Sequence, residues 1–520
     1  MQTDIILSTL NSSYQHSSFG LRYLKANLGE LQSQCEIIEF TIQKEPRDIV
    51  EQILLRNPRI VGFGVYIWNT TEIQKVITVL KKVRPEIVIV LGGPEVSYES
   101  ETQAITQVAD YVIKGEADFE FRDLCNKILN TESLPQKFIQ AALPDIKKII
   151  TPYHLYSDED IKNRYIYVEA SRGCPYKCEY CLSSLDKSVR SFDVESFLQQ
   201  LQTLIDRGAR SFKFIDRTFN LSIPTCTQIL QFFLDRVDLG LFLHFEMVPD
   251  RLPQEIRDFL VKFPAGSLQF EIGIQTFNPE VAKNVSRRND FNKVKENFEF
   301  LATHTGVHTH ADLIVGLPGE TLESFAVGFD TLWSYNPHEI QVGILKRLKG
   351  TPIIRHDANF KMVYSEHPPF QILQNKDLDF NTLQVMNRFA KFWDLIANSG
   401  QFPQTLKYLE RLSESHPQKS FFWQFYDLSQ FLSRLFDKNH SIALMNLAHG
   451  IYKYLLECSD LSADSAAQLI VEDYSKHGKR DIPNFLKFGN STSPDTSTAT
   501  ATHNKRQKRH LHNQTETSTN

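Results

Sequence analysis

Short, uninterrupted apolar runs recur along the first 345 residues, each followed by an amphipathic stretch. This alternation restricts that part of the chain to parallel α/β architecture. In residues 1–130 the runs fall at 4–10, 35–41, 60–66, 87–91 and 111–113, with helical patterns at 19–28, 47–56 and 70–83 between them. A strand apolar on both faces needs helices on both sides, so residues 1–135 are expected to form a Rossmann-like (flavodoxin-like) parallel sheet. Two glycine-rich turns, GGPEVS (92–97) and KGEADFE (114–120), directly follow strands. That is the end at which such sheets bind ligands, although tight strand-to-helix turns would use the same glycines.

Residues 131–164 read as a proline-containing linker. A second series then begins, with strands at 165–170, 211–216, 241–247, 268–275, 309–316 and 340–345 and helices such as 194–206, 225–237 and 321–334. Six units over residues 160–360 fit a (β/α)6 partial TIM barrel, short of the roughly 250 residues of a complete one. From 365 to 487 the pattern is helical. Its aromatic run SFFWQFYDLSQFLSRLF (420–436) has apolar groups all round and reads as core. Residues 488–520 are polar and too poor in apolar groups to order. Their basic cluster, Lys505–His512, suits a solvated tail, with nucleic acid or a membrane surface as the alternative contact.

The net charge of −5 gives no reason to expect a nucleic-acid partner. No run approaches the roughly 20 apolar residues of a membrane span, and MQTDIILSTLNSS does not read as a signal peptide. Of seven cysteines, Cys35, Cys125, Cys226 and Cys458 stand singly, which is no disulfide framework and suits a reducing, cytoplasmic setting. The other three, Cys174, Cys178 and Cys181, have a C-x3-C-x2-C spacing directly after the first expected barrel strand. Close thiolates suit a soft metal or an iron–sulfur cluster. Structural zinc normally takes four ligands, and the nearest histidines in sequence are His154 and His244. Three ligands leave one position open, as required when the metal must also bind substrate. Chance clustering and a zinc site are the alternatives.

The stretch RGCPYKCEYC (172–181) resembles the signature of the radical S-adenosylmethionine (SAM) enzymes. The resemblance implies that the three cysteines hold a [4Fe–4S] cluster whose fourth iron binds SAM, which is cleaved to start radical chemistry. Further stretches resemble the same family. FIDRTFN (214–220) implies Asp216, supported by Asn220, as acceptors for the SAM amino group. FEIGIQTFN (270–278) implies Glu271 and Gln275 near the ribose and carboxylate, both on one side of a strand. DLIVGLPGET (312–321) implies adenine packing on the backbone around Gly316, and LKGTP (348–352) follows the sixth strand.

A Rossmann-like domain before such a barrel resembles the cobalamin-binding subclass that includes anaerobic magnesium-protoporphyrin cyclase and many C-methyltransferases. GFGVYIWN (62–69), LGGPEVSYE (91–99) and DYVIKGEAD (110–118) carry that resemblance. It implies that Gly92, Gly93 and Pro94 approach the corrin or its nucleotide tail, with Gly115 and Glu116 on the neighbouring loop. The helical region resembles an uncharacterised extension of one branch. The chain departs from the subclass at YQHSSFG (14–20), where Tyr14 replaces the aspartate of Asp-x-His-x-x-Gly. His16 then lacks the carboxylate that orients a metal-bound imidazole, so cobalamin is expected without a protein ligand on cobalt.

These features predict a cytoplasmic radical SAM enzyme with [4Fe–4S], SAM and cobalamin as cofactors, acting on an unreactive carbon of a small molecule by methyl transfer or oxidative cyclisation. Its electron donor would be a flavodoxin or ferredoxin. The alternatives are a redox- or cobalamin-sensing protein without turnover, and methylthio transfer, which usually brings a second cysteine cluster that this chain lacks.

Overall fold

The computed structural model describes residues 3–133, 135–436, 442–476, 483, 486, 506, 507, 509 and 510. The first sheet contains β1 (Ile5–Asn11), β2 (Cys35–Thr41), β3 (Ile60–Gly64), β4 (Val88–Gly92), β5 (Tyr111–Lys114) and β6 (Phe138–Gln140), ordered β2-β1-β3-β4-β5-β6. Every pairing is parallel. Ile6 and Leu10 join the apolar core on one face, Ile5 and Leu7 the core on the other, which explains why β1 reads as continuously apolar. The order reverses between β1 and β3, the crevice at which such sheets take ligands.

The linker is therefore not structureless. Phe138–Gln140 adds an edge strand to the first sheet through β5, and Ser157 caps the helix Asp158–Asn163 with a reciprocal capping box. Three residues are too few to show a period, which is why this strand was not expected.

The second sheet is the partial barrel. After β7 (Ile166–Val168) comes a hairpin of β8 (Ser171–Arg172) and β9 (Arg190–Ser191). The barrel then continues through β10 (Ser211–Phe214), β11 (Phe242–Met247), β12 (Leu268–Gln275), β13 (His308–Val315) and β14 (Glu339–Ile344). Its order is sequential, with β7 and β14 as edges, so the barrel is open between them. Along β12 buried Leu268, Phe270, Ile272 and Ile274 alternate with half-buried Gln269, Glu271, Gly273 and Gln275. The apolar set packs on helices and the polar set faces the lumen.

The helices Phe380–Trp393, Pro403–Ser413, Phe421–Leu435, Leu444–Cys458 and Ala463–Ser475 cover one side of the barrel and share its apolar core. Phe389, Trp393, Phe422 and Phe425 are all within 1% of complete burial; the first three meet Phe329 of a barrel helix edge-on, and Phe425 packs edge-on against Phe389 and Trp393. The aromatic run is core, as its composition suggested.

The expectation of an unordered 488–520 needs a correction at the described positions. Gln507 is 2% exposed and hydrogen-bonds Gln269 at the start of β12. Arg506 lies 3.0 Å from Glu339 and 2.5 Å from Asp394, and the His510 ring packs against His308. These residues close the amino-terminal mouth of the barrel. Polar composition concealed this because the contacts are hydrogen bonds and ion pairs rather than apolar burial. The rest of that stretch lies outside the described residues.

Candidate functional site

The cysteines sit on a loop whose neck is the β8–β9 hairpin. Gly173 has φ +92°, and a Cβ there would lie 1.9 Å from the Ser188 carbonyl oxygen, so only glycine lets the two sides of the neck touch. The Cys174 amide donates to the Asp186 carbonyl at 3.1 Å and the Cys181 amide to the Cys178 carbonyl at 3.1 Å. Burial pushes the Cys174 thiol up, and the neighbouring Cys181 and Cys178 add to this. Ionising thiols gathered in this way calls for compensating cationic charge, which iron supplies. Among the described residues no three Cys, His, Asp or Glu groups converge tightly enough to hold one metal ion. The thiols are gathered by one loop rather than pinched to a point.

Two features that the sequence did not reveal fix this loop. Glu179, between two of the cysteines, is 2% exposed. It accepts hydrogen bonds from Ser286 and Arg355 and one from His356 Nε2 at 2.9 Å. Arg287 reaches the Cys178 Sγ at 3.5 Å and the Tyr180 hydroxyl at 3.2 Å, and also donates to the Gly273 carbonyl. Partners more than 100 residues away leave no local signal.

The lumen below the loop is polar. In register across adjacent strands stand Glu246, Glu271 and His310, with Asp312 opposite Gln341 one pair further on. His244 Nε2 lies 3.2 Å from Glu271. Burial drives His244 below the ordinary imidazole range, so a neutral ring donates to Glu271. Burial also raises Glu271, but His244, through its hydrogen bond, and the neighbouring His310 and Lys213 together outweigh it and hold the carboxylate low. Asp312 is pushed well up by burial and by Glu271 and Glu246, and its Oδ1 is buried with no hydrogen-bond partner. An orphaned carboxyl oxygen in a polar lumen is a place for a ligand donor.

The other expected residues divide into those that face the lumen and those spent elsewhere. Glu271 and Gln275 face it. Gln275 follows a bulge at Gly273, has φ +73° and folds its amide back over Gly273. Asp216 is not an open acceptor: its oxygens take the Ala170 amide at 2.9 Å and the Ser171 hydroxyl at 2.7 Å. Asn220 is fully buried and bridges the backbone of Val248 and Arg251. Both brace the walls of the lumen. The Gly316 carbonyl is taken by Asn375, and a Cβ there would meet Ile372 at 2.8 Å, so packing accounts for this glycine.

Burial raises Asp216 to about 7 from 3.8. The folded protein therefore takes up a proton between these values, and stability falls as pH rises from about 4 to about 7, by an amount on the order of a few kcal/mol. Asp216→Asn keeps an acceptor for Ala170 and should flatten that slope. Denaturant titrations at pH 5 and pH 8 check this, and an unchanged slope would assign the pH dependence to another group.

In the first sheet a cavity of about 190 Å³ opens at the carboxyl ends of the strands, lined by Gly20, Gly62, Gly64, Gly92, Gly93 and Gly115, with Glu116, Asp118 and Arg172 at its rim. Gly93 has φ +107°, and a Cβ there would press 2.5 Å from the Val65 carbonyl. The glycines open a slot between apolar side chains such as Leu21, Phe63, Tyr66 and Val90, which fits a planar group. Pro94 opens the following turn and does not line the cavity. The Glu116 carboxylate is engaged by Arg172 and Arg190. His16 is also outside the cavity; its Nδ1 lies 2.6 Å from the Tyr167 hydroxyl on β7.

The B12 binding domain family matches residues 7–124, and the radical SAM superfamily matches residues 168–330, around the cysteine loop. The chain joins a B12-binding domain to a radical SAM domain. A protein family of unknown function, DUF4080, matches residues 358–520. An uncharacterized methyltransferase of Pyrococcus horikoshii is 24% identical over 53% of this chain and 64% of its own length. The 2-(S-pantetheinyl)-carbapenam-3-carboxylate methyltransferase of Streptantibioticus cattleyicolor is 24% identical over 55% of this chain and 46% of its own. The chain thus spans less than two thirds of these relatives. Among solved structures, the cobalamin-dependent SAM radical enzyme OxsB covers 93% of this chain and 83% of its own, with TM-score 0.63 at 13% identity. The radical SAM methyltransferase TsrM of Kitasatospora setae covers 71% of this chain and 78% of its own, with TM-score 0.57 at 16% identity. At such identities these likenesses show the fold. The domain pair implies a [4Fe–4S] cluster and SAM for the radical SAM domain and cobalamin for the B12-binding domain, and the gathered thiols and the glycine slot fit them. No helix among the described residues is long and apolar enough to cross a membrane.

Proposed function

We propose that this chain is a cobalamin-dependent radical SAM methyltransferase acting on an unreactive carbon of a small molecule. The observation that carries this reading is juxtaposition: Arg172, two residues before Cys174, also lines the glycine-walled cavity. When bound, the cluster with SAM supplies a hydrogen-abstracting radical and the corrinoid a methyl donor.

On this reading Cys174, Cys178 and Cys181 hold the cluster. Gly92, Gly93 and Gly115 admit the corrinoid. Glu271, Gln275 and Asp312 present acceptors to SAM in the lumen. Burial and the neighbouring Glu271 and Glu246 hold the Asp312 carboxyl well above the ordinary carboxylate range, which favours a protonated form able to donate a hydrogen bond as well as accept one. The substrate lies between the two cofactor sites, where the packed walls of the barrel keep bulk water from a reactive species. Seven unbridged cysteines support a reducing, cytoplasmic setting, and an electron donor of flavodoxin or ferredoxin type completes the scheme. The homology to methyltransferases favours methyl transfer over cyclisation and over a sensor without turnover.

The test is protein purified without oxygen after expression with hydroxocobalamin. About four irons per chain, corrin absorption bands and reductant-dependent conversion of SAM to methionine and 5′-deoxyadenosine are expected. Iron without corrin would refute methyl transfer from cobalamin, and zinc without iron would end the enzymatic reading.

A further inference from the structure

The cavity of the B12-binding domain and the neck of the cysteine loop share residues. Arg172 on β8 donates to Glu116 at 2.8 Å, to both oxygens of Asp118 at 3.0 and 3.3 Å, and to Glu169 at 3.0 Å. Its guanidinium lies 4.5 Å over the Tyr23 ring. Arg190, its partner across the hairpin, bonds the same Glu116 and reaches Asp186 at 3.0 Å. The Asp186 carbonyl in turn accepts the Cys174 amide. One carboxylate of the first domain therefore holds both strands at the neck of the loop. Glu116, Asp118 and Arg172 also line the cavity, whereas Arg190 does not.

We propose that Glu116 and Arg172 couple occupancy of the cavity to closure of the cysteine loop, so that a corrinoid in the cavity tightens the loop around its cluster. The proposal rests on the function proposed above and assigns Glu116, Arg172 and Arg190 as positioning residues. A ligand in the cavity removes water from one side of the network, and charge-assisted bonds strengthen as the local dielectric falls. Linkage makes the effect reciprocal: if the corrinoid stabilises the closed loop, the closed loop raises corrinoid affinity by the same factor.

The experiment measures the rate at which a ferrous chelator strips iron from anaerobic protein with and without hydroxocobalamin. The wild-type protein should lose iron more slowly with hydroxocobalamin, by a factor on the order of ten. In Glu116→Gln that slowing should shrink to less than about twofold. The same loss is expected in Arg190→Gln, which lies off the cavity and should still take up the corrin. Glu101→Gln, which removes an exposed pair with Lys114 on the same domain, should keep the full slowing. Equal slowing in wild type, Glu116→Gln and Arg190→Gln would overturn the proposal, as would a wild-type rate indifferent to bound hydroxocobalamin. Because both arms begin from protein already holding its cluster, and one arm from protein already holding the corrinoid, that failure would leave the proposed function standing.

Discussion

Cys178→Ala is expected to emerge from anaerobic purification with its iron reduced to background and with no reductant-dependent cleavage of SAM. A [4Fe–4S] cluster needs its three protein thiolates, and a methyl group cannot replace one. The loop itself should survive the change. Its neck is held by Glu116 and the two arginines, and its middle by Glu179 with Ser286, Arg355 and His356. Apparent stability of the metal-free protein should therefore shift by less than about 1 kcal/mol. Cys226→Ala is the contrast. That thiol is fully buried in the apolar core of the barrel, so its loss should cost about 1 kcal/mol or more through a small cavity and leave iron content intact. Retained iron and SAM cleavage in Cys178→Ala would sink the cluster assignment.

The largest stability effect is expected at Arg22. This side chain of the first domain is 5% exposed and lies 2.6 Å from Glu39 and 2.8 Å from Asp160 of the connecting segment, themselves 5% and 9% exposed. Replacing it by methionine keeps the bulk but leaves two buried carboxylates, with Arg164 at 3.4 Å from Glu39 as their remaining cation. Removing one partner of a buried ion pair costs about 3–5 kcal/mol, read as a lowered denaturation midpoint. Burial pushes Asp160 up, but the Arg22 charge together with hydrogen bonds from Ser157 and Arg22 outweighs it and holds the carboxyl below its ordinary 3.8. Its contribution is present above pH 3.8 and is lost as pH falls through the lower folded value. Arg22→Met should remove Arg22's share of that acid-limb term and leave the share of the Ser157 hydrogen bonds. A loss under about 1 kcal/mol would mean that Arg164 carries the site alone.

Both sheets were legible because their strands are apolar enough to show their period in the sequence, and the cysteine spacing located the loop. The residues that hold the loop were not legible. Arg287 and Glu179 act on partners more than 100 positions away, which only the folded barrel brings together. Asp216 and Asn220 illustrate the opposite case. A polar residue at a strand end suggests a ligand acceptor, yet both already hold partners within the protein, Asp216 the Ala170 amide and the Ser171 hydroxyl and Asn220 the backbone of Val248 and Arg251, which a one-dimensional pattern does not distinguish. Edge strand β6 was missed because three residues between prolines carry no periodicity.

The packing of Gln507 on Gln269 joins positions 238 apart in the chain. On the ribosome, every barrel strand emerges well before the residues that stopper its lower mouth, so a nascent barrel passes through a stage that is roofed but unfloored. Contacts of such separation form late, after local structure has lowered the entropy of closing the loop. Chains cut short near their carboxyl end should therefore be assembled yet leaky: their strands, helices and cysteine loop are in place, but solvent has a second way into the lumen.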